Sequence, residues 1–330
     1  MDILLLNGTD YPFKKALNDR QCCNVYSLGN YSVYNPRKIF EIIPYLKKYD
    51  LVHVHLFPSQ YWVVLAKILS FSKVKLLFTE HSTSNRRMKK PLFKFLDRFI
   101  YRRYLKIVCI TEEVMKAMVK YLSSPADHFR IITNGVDIDK FIKAIPYSRS
   151  YLFGENTGNS TLLIQVSSFQ EPKDQKTLIK SLLYLNDSIK LLLVGDGVLR
   201  QNHEDMVKYL GLQHRVLFLG IRMDVPELLK MVDIGVLSSS WEGFGIVAVE
   251  GMASGIPFIA SDVPGLAKVV EGAGILFTPG DAKQLAMAIE KLLANKDYFN
   301  SIADDCQKRA GEFDIKIMVD NYIRLYSEII

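Results

Sequence analysis

The sequence predicts an α/β protein made of two doubly wound parallel-sheet domains, and three observations predict it. The chain has 330 residues, more than one ordinary core accommodates. Short apolar runs alternate with helical stretches in two separate series, which is the pattern of parallel sheets covered on both faces. Charge is divided unevenly: residues 1–150 carry 25 Lys+Arg against 12 Asp+Glu, and the remainder carries 17 against 23. A basic first half and an acidic second half suit two domains with different partners.

The first series opens with a strand over 2–6 and a turn at Asn7-Gly8. Helix 36–48, strand 51–55, helix 61–70, strand 74–79, a basic helix over 91–103 and strand 107–110 follow. Thr111 reads as a helix N-cap, with Glu112 and Glu113 in the first turn, where negative charge meets the positive end of the dipole. Strand 130–133 closes the series at Asn134-Gly135. Residues 144–160, with Pro, Ser, Gly and Asn, read as a linker. The second series runs strand 161–166, helix 174–184, strand 190–194, helix 201–210, strand 215–219 and helix 225–231. It continues with strand 233–237, helix 245–254, strand 256–260 and helix 282–294. Domains are expected over 1–147 and 148–312, with a C-terminal helix over 313–330 packing back on the first.

Composition, 49% hydrophobic and 23% charged, is that of a folded globular protein. Cys22, Cys23, Cys109 and Cys306 show no CxxC spacing, which fits a reducing cytosol better than a disulfide framework. The N-terminus lacks a signal-peptide pattern, and no run of about 18 apolar residues is present. Gly195-Asp196-Gly197 is a tight turn and not GxGxxG, so a dehydrogenase reading lacks its fingerprint. Asp137-x-Asp139 mimics a metal-binding pair but reads as part of the hinge after Asn134-Gly135, so no metal site is expected. His53 and His55 alternate along an apolar strand and read as histidines with ordinary hydrogen bonds.

The stretch WEGFGIVAVEGMASGIPFIASD, residues 241–262, carries the chemistry. Ligands bind at the carboxyl ends of strands in such sheets, and this stretch follows strand 233–237. Gly243 and Gly245 allow backbone to approach a ligand closely. The N–H groups of Gly245, Ile246 and Val247 open the helix and suit an anion such as phosphate. Glu242 stands beside them, and Glu250 lies one to two turns in, where a carboxylate can accept sugar or ribose hydroxyls. A structural alternative is that Glu242 caps the helix and Glu250 meets a buried Arg or Lys.

EGFGIVAVEGMASGIPFIASDVPG resembles the signature of glycosyltransferase family 4. LVHVHLFP, LLFTEHSTSNRR, ITEEV, IITNGVDIDKF, FQEPKDQKTLI, LLLVGDG and VLFLG fall in that family's order over nearly the whole chain. The resemblance implies the GT-B fold, two Rossmann-like domains, and a retaining enzyme dependent on a nucleotide sugar, with no cofactor beyond that donor. It implies that Glu250 binds the ribose, that Glu242 contacts the transferred sugar, and that Phe244 to Val247 hold the diphosphate and sugar. Lys173 matches the lysine that neutralises the leaving diphosphate, and Arg222 lies where the base is gripped. His81 matches the first-domain histidine that reaches the donor sugar. Two positions depart from the pattern. Ser168 occupies the place of an arginine that shares the diphosphate, and Lys268 stands near the place of a glutamate. Residues 1–17 resemble the family's second strand and helix, not its first strand and glycine-rich loop. A truncated first domain with weak turnover, or a nucleotide-sugar-binding protein, is therefore an alternative expectation.

The expected activity is transfer from a UDP- or GDP-sugar to a glycan or lipid-linked acceptor in polysaccharide biosynthesis, such as capsule or lipopolysaccharide assembly. The stretch from Arg86 to Arg103 interleaves cations with aromatics, which suits peripheral contact with an anionic membrane at its cytoplasmic face. No nucleic-acid module accompanies the charge.

Overall fold

The computed structural model describes residues 1–9, 12–83, 88, 90–153 and 160–330. The chain divides into two compact units, Met1–Ile132 with Arg324–Ile330, and Thr133–Ile323.

In the first unit the elements are β1 (Ile3–Leu5), α1 (Pro12–Asp19), β2 (Val25–Ser27), α2 (Lys38–Leu46), β3 (Leu51–His55) and α3 (Ser59–Leu69). They continue with β4 (Lys75–Glu80), α4 (Pro91–Tyr101), β5 (Lys106–Cys109), α5 (Glu112–Leu122) and β6 (Phe129–Ile131). The strands do not form one sheet: β1 pairs in parallel with β2, and β3-β4-β5-β6 form a separate parallel sheet. Strand 2–6 is thus a neighbour of Val25–Ser27 and not of Leu51–His55. Leu76, Leu77, Ile107 and Val108 are fully buried in the four-stranded sheet, as their unbroken apolar runs require. Thr111 caps α5 by accepting from the Val114 N–H at 3.2 Å.

The second unit contains α6 (Ile138–Ile142), α7 (Ser150–Phe153), β7 (Thr161–Val166), α8 (Gln175–Ser181), β8 (Ile189–Val194), α9 (Arg200–Tyr209), β9 (Val216–Gly220) and α10 (Val225–Met231). After these come β10 (Ile234–Leu237), α11 (Ile246–Ala253), β11 (Phe258–Ser261), α12 (Leu266–Val270), β12 (Ile275–Phe277), α13 (Ala282–Ala294) and α14 (Lys296–Gly311). The final helix α15 (Ile315–Ile329) starts in this unit and ends in the first. Its last turn is tied down there: Lys75 Nζ donates to the carbonyls of Ile329 and Ile330 at 2.7 and 3.1 Å.

All six strands of the second unit are parallel, in the order β12-β11-β10-β7-β8-β9. The order reverses between β7 and β10, and the crevice where it reverses is where a doubly wound sheet binds ligands. Leu163, Leu191, Leu193, Ile234, Val236 and Ile259 fill the core beneath it. The expected linker is not wholly irregular, because Ser150–Phe153 makes one helical turn. Asp137 of the metal-like pair caps α6 through the Lys140 N–H at 3.3 Å, and Asp139 pairs with Lys143 and Lys316, each at 3.1 Å.

Candidate active site

Two loops flank the reversal point of the second sheet. One follows β7 and carries Ser168 and Lys173; the other follows β10 and carries Glu242, Gly243 and Gly245. Backbone hydrogen bonds clip them together: Asp174 N–H to Ser238 O at 3.0 Å and Ser240 N–H to Pro172 O at 2.9 Å. Beneath them the buried amide of Gln165 donates to Ser167 Oγ at 3.1 Å and accepts from the Ser238 N–H at 3.2 Å. Gln175 Nε2 donates to Ser167 Oγ and to Ser168 O, both at 2.9 Å. This network holds the loops without using the Ser168 side chain.

On that base Lys173 Nζ forms an ion pair with Glu242 Oε1, and Ser239 Oγ donates to the same oxygen at 3.2 Å. Glu242 is only 9% exposed, which explains why a partner is needed: a buried unpaired carboxylate is costly. Lys173 and Glu242 are 69 positions apart, and only the sheet order brings them together.

Gly245 precedes α11 with φ 88°, a left-handed conformation that favours glycine, and a Cβ there would lie 2.6 Å from Leu266 Cδ1. The N–H groups of Ile246 and Val247 open α11 and have no acceptor within the helix. Phe244 is buried edge-on against Phe313, with ring centres 5.4 Å apart. Gly265, with φ 86°, packs from behind: a Cβ there would meet Glu242 O at 2.6 Å and Gly243 O at 2.7 Å.

Glu250 lies one turn into α11 and is half-buried. Burial pushes its carboxyl above the ordinary glutamate value, and the charge of Lys140 opposes that only in part. Its side chain makes no hydrogen bond among the described residues. Glu250 is thus a half-enclosed carboxylate with free acceptor capacity among the described residues. Arg222 follows β9 and forks onto Asp224, Nε to Oδ1 at 2.8 Å and Nη2 to Oδ2 at 2.5 Å. Tyr147 donates to the same Asp224 at 2.8 Å, and the guanidinium holds the Asp224 carboxyl down at about 2. Arg222 is therefore engaged in its own unit, and the spacing Arg-x-Asp was the signal that could have shown it.

His81 belongs to the first unit, just beyond β4. Its Nε2 lies 3.3 Å from His55 Nδ1. The centre of the His55 ring lies 4.3 Å from that of His53, with the planes tilted by 36°, and the His53 nitrogens meet Tyr326 Oη and Thr79 Oγ1, both at 2.7 Å. Burial, then the neighbouring imidazoles His55 and His81, push His53 down to about 3. Burial lowers His81 as well, and burial with His81 lowers His55. The three rings are thus neutral near pH 7. Sequence reading gave His53 and His55 no part in a site, because only the pairing of β3 with β4 sets them beside His81.

Residues 13–140 match the family described as Glycosyltransferase Family 4, and residues 153–312 match Glycosyl transferases group 1. The chain belongs to glycosyltransferase family 4. This glycosyltransferase is 26% identical to the N-acetyl-alpha-D-glucosaminyl L-malate synthase of Bacillus anthracis over 93% of the chain and 82% of that protein. It is 27% identical to the UDP-Gal:alpha-D-GlcNAc-diphosphoundecaprenol alpha-1,3-galactosyltransferase of Escherichia coli, over 86% of the chain and 76% of the relative. Among solved structures, Anabaena HepE in complex with UDP and glucose superposes with a TM-score of 0.85 at 22% identity, covering 98% of this chain and 91% of that one. The enzyme is a hexosyltransferase of GT-B fold.

Proposed function

We propose that this glycosyltransferase moves a hexose from a UDP- or GDP-sugar to a glycan or lipid-linked acceptor in polysaccharide assembly, with retention and without a metal. The observation that carries the reading is the Lys173–Glu242 pair at the reversal point of the second sheet, beside the N-terminus of α11 and the Glu250 carboxylate, which makes no hydrogen bond among the described residues. Glu250 accepts the ribose hydroxyls. The diphosphate takes the N–H groups of Ile246 and Val247 and draws Lys173 away from Glu242, which frees that carboxylate for a hydroxyl of the sugar. A cation and a helix N-terminus together stabilise the charge that grows on the departing diphosphate. Ser168 supplies no charge, so Lys173 carries more of that work. The UDP and UDP-glucose complexes of Anabaena HepE support a uridine donor. Incubation with a panel of UDP- and GDP-sugars, reading released nucleotide, tests the proposal; release from none of them overturns it.

The acceptor is lipid-linked in this reading because of α4. Leu92, Phe95, Leu96 and Phe99 follow one another at helical spacing, yet all four are exposed. The buried face holds Asp97, bonded to Tyr61 Oη and, at 2.8 Å, to Tyr121 Oη. Lys90, Arg102 and Arg103 border the apolar stripe and are exposed. Apolar side chains edged by cations suit an anionic bilayer surface. Arg86, Arg87 and Lys89, which belong to the same basic stretch in sequence, lie outside the described residues. No described helix is long and apolar enough to cross a membrane. The E. coli relative, whose name specifies a diphosphoundecaprenol-linked acceptor, points the same way.

A further inference from the structure

We infer that the turn after α3 is a membrane insertion point, and that Phe71 at its tip enters the apolar layer of an anionic bilayer. The inference rests on the membrane reading of α4 for the nature of the surface, and it adds a second contact that can be tested apart from α4.

α3 closes with two backbone bonds that reverse the chain. The Phe71 N–H donates to Ile68 O at 3.3 Å, and the Ser72 N–H donates to Lys67 O at 3.2 Å. This closure needs a left-handed residue just past the helix, and Phe71 takes that place with φ 53°. Glycine is the usual occupant, because it lacks the Cβ that makes the conformation costly. The phenylalanine recovers nothing by packing, since it is 91% exposed. A single exposed apolar residue is ordinary. Here a backbone penalty and an apolar ring in water fall on the same residue, and neither serves the fold. The turn itself is well held. Ser70 Oγ donates to Ala66 O at 2.7 Å, and Ser72 Oγ donates to Leu46 O at 3.0 Å. The ring is thus presented on a fixed support.

The surroundings have the chemistry of a lipid-facing surface. Ile68 and Leu69, in the last turn of α3, are exposed beside the ring. The Ser72–Leu46 bond sets the turn against the end of α2, where Lys47 and Lys48 are exposed, and Lys73 is exposed just after the turn. Burial, then the charge of Arg103, lowers the Lys67 ammonium from its ordinary value, so this end of α3 adjoins the end of α4. Residues 46–50 and 67–75 together hold five lysines and one acid, Asp50. Cations around an apolar tip match anionic headgroups around a ring seated among acyl chains. A protein partner suits the site less well, because lysine is depleted in protein interfaces.

The test uses the full chain with vesicles of phosphatidylcholine, with and without phosphatidylserine. Phe71→Gly removes the ring and relieves the left-handed backbone. Phe71→Asn, which tolerates the same conformation, guards against an effect peculiar to glycine. Both are expected to keep or raise the thermal midpoint. Both are also expected to weaken binding to the anionic vesicles about tenfold or more, the scale of burying one phenylalanine. Phe71→Trp is expected to bind as the wild type does, with its added emission quenched by lipids brominated in the acyl chain. Unchanged vesicle binding in Phe71→Gly and Phe71→Asn overturns the inference, and so does added emission in Phe71→Trp that brominated lipids leave unquenched. Loss of binding in Phe95→Ser on α4 with none in Phe71→Gly keeps the α4 contact and overturns the role of the turn. The reverse pattern removes the α4 contact and supports the turn. A wild type that binds no anionic vesicle overturns both. Self-association lost in Phe71→Gly with vesicle binding kept assigns the ring to a second copy of the chain, which overturns the inference as well.

Discussion

Glu250→Ala separates ligand binding from folding more cleanly than any other change in the site. The Glu250 side chain has no hydrogen bond among the described residues, and burial already disfavours its charge. Removing it breaks no hydrogen bond of the carboxylate among the described residues and relieves its burial, at the loss of a partial attraction to Lys140, so the unliganded thermal midpoint is expected to change little or to rise. Binding is another matter. Hydrogen bonds from two hydroxyls to one carboxylate contribute about 1.5–3 kcal/mol on this scale, so UDP affinity is expected to fall about 10- to 100-fold. Calorimetric titration of UDP into both proteins, with circular dichroism to confirm the fold, reads this directly. The pH dependence gives a second reading. The ionised form of Glu250 is the acceptor, and its carboxyl titrates above the ordinary value of 4.5. Wild-type affinity is therefore expected to decline relative to Glu250→Gln as pH falls toward and through that raised value, and the two proteins to differ most at neutral pH. Equal UDP affinity in wild type and Glu250→Ala would refute the assignment of the ribose to this carboxylate.

Other changes probe the supports of the site and of the first unit. Gly265→Ala places a Cβ within 2.7 Å of two backbone oxygens at φ 86°, so a destabilisation of at least ~1–2 kcal/mol and loss of donor turnover are expected in thermal melts and activity assays. His53, held neutral in the fold at about 3 against 6.5 unfolded, binds its proton more readily when unfolded; stability is expected to fall as pH drops below about 6.5, and less so in His53→Asn. Replacing Lys90, Arg102 and Arg103 by Gln with Phe95→Ser is expected to abolish salt-sensitive sedimentation with vesicles containing phosphatidylserine; equal sedimentation of variant and wild type removes the membrane proposal.

Much of the second unit could be read from sequence. All but one of its described strands are four to six residues long and mainly apolar. The strands left out are those without such a signal. Val25–Ser27 and Ile275–Phe277 are three-residue strands, too short for any periodicity to show. The separation of β1-β2 from β3–β6 is a matter of pairing, which a strand's own residues do not encode. In the site, Glu242, Glu250 and the α11 N-terminus lie within one short stretch and were legible as a unit. The partner of Glu242 was not, because the ion pair with Lys173 depends on β7 and β10 being neighbours. The same holds for His55 beside His81, and for the engagement of Arg222 by Asp224 and Tyr147. Sequence names the chemical groups here, and sheet order decides which of them meet.

The central claim is that the crevice between β7 and β10 holds the nucleotide, and a crystal structure of the protein with UDP tests it most directly. In that structure the ribose hydroxyls are expected on the Glu250 carboxylate, the diphosphate at the Ile246 and Val247 N–H groups, and Lys173 Nζ moved from Glu242 to a phosphate oxygen. Nucleotide bound elsewhere, or a diphosphate remote from α11 with Lys173 still on Glu242, would contradict it.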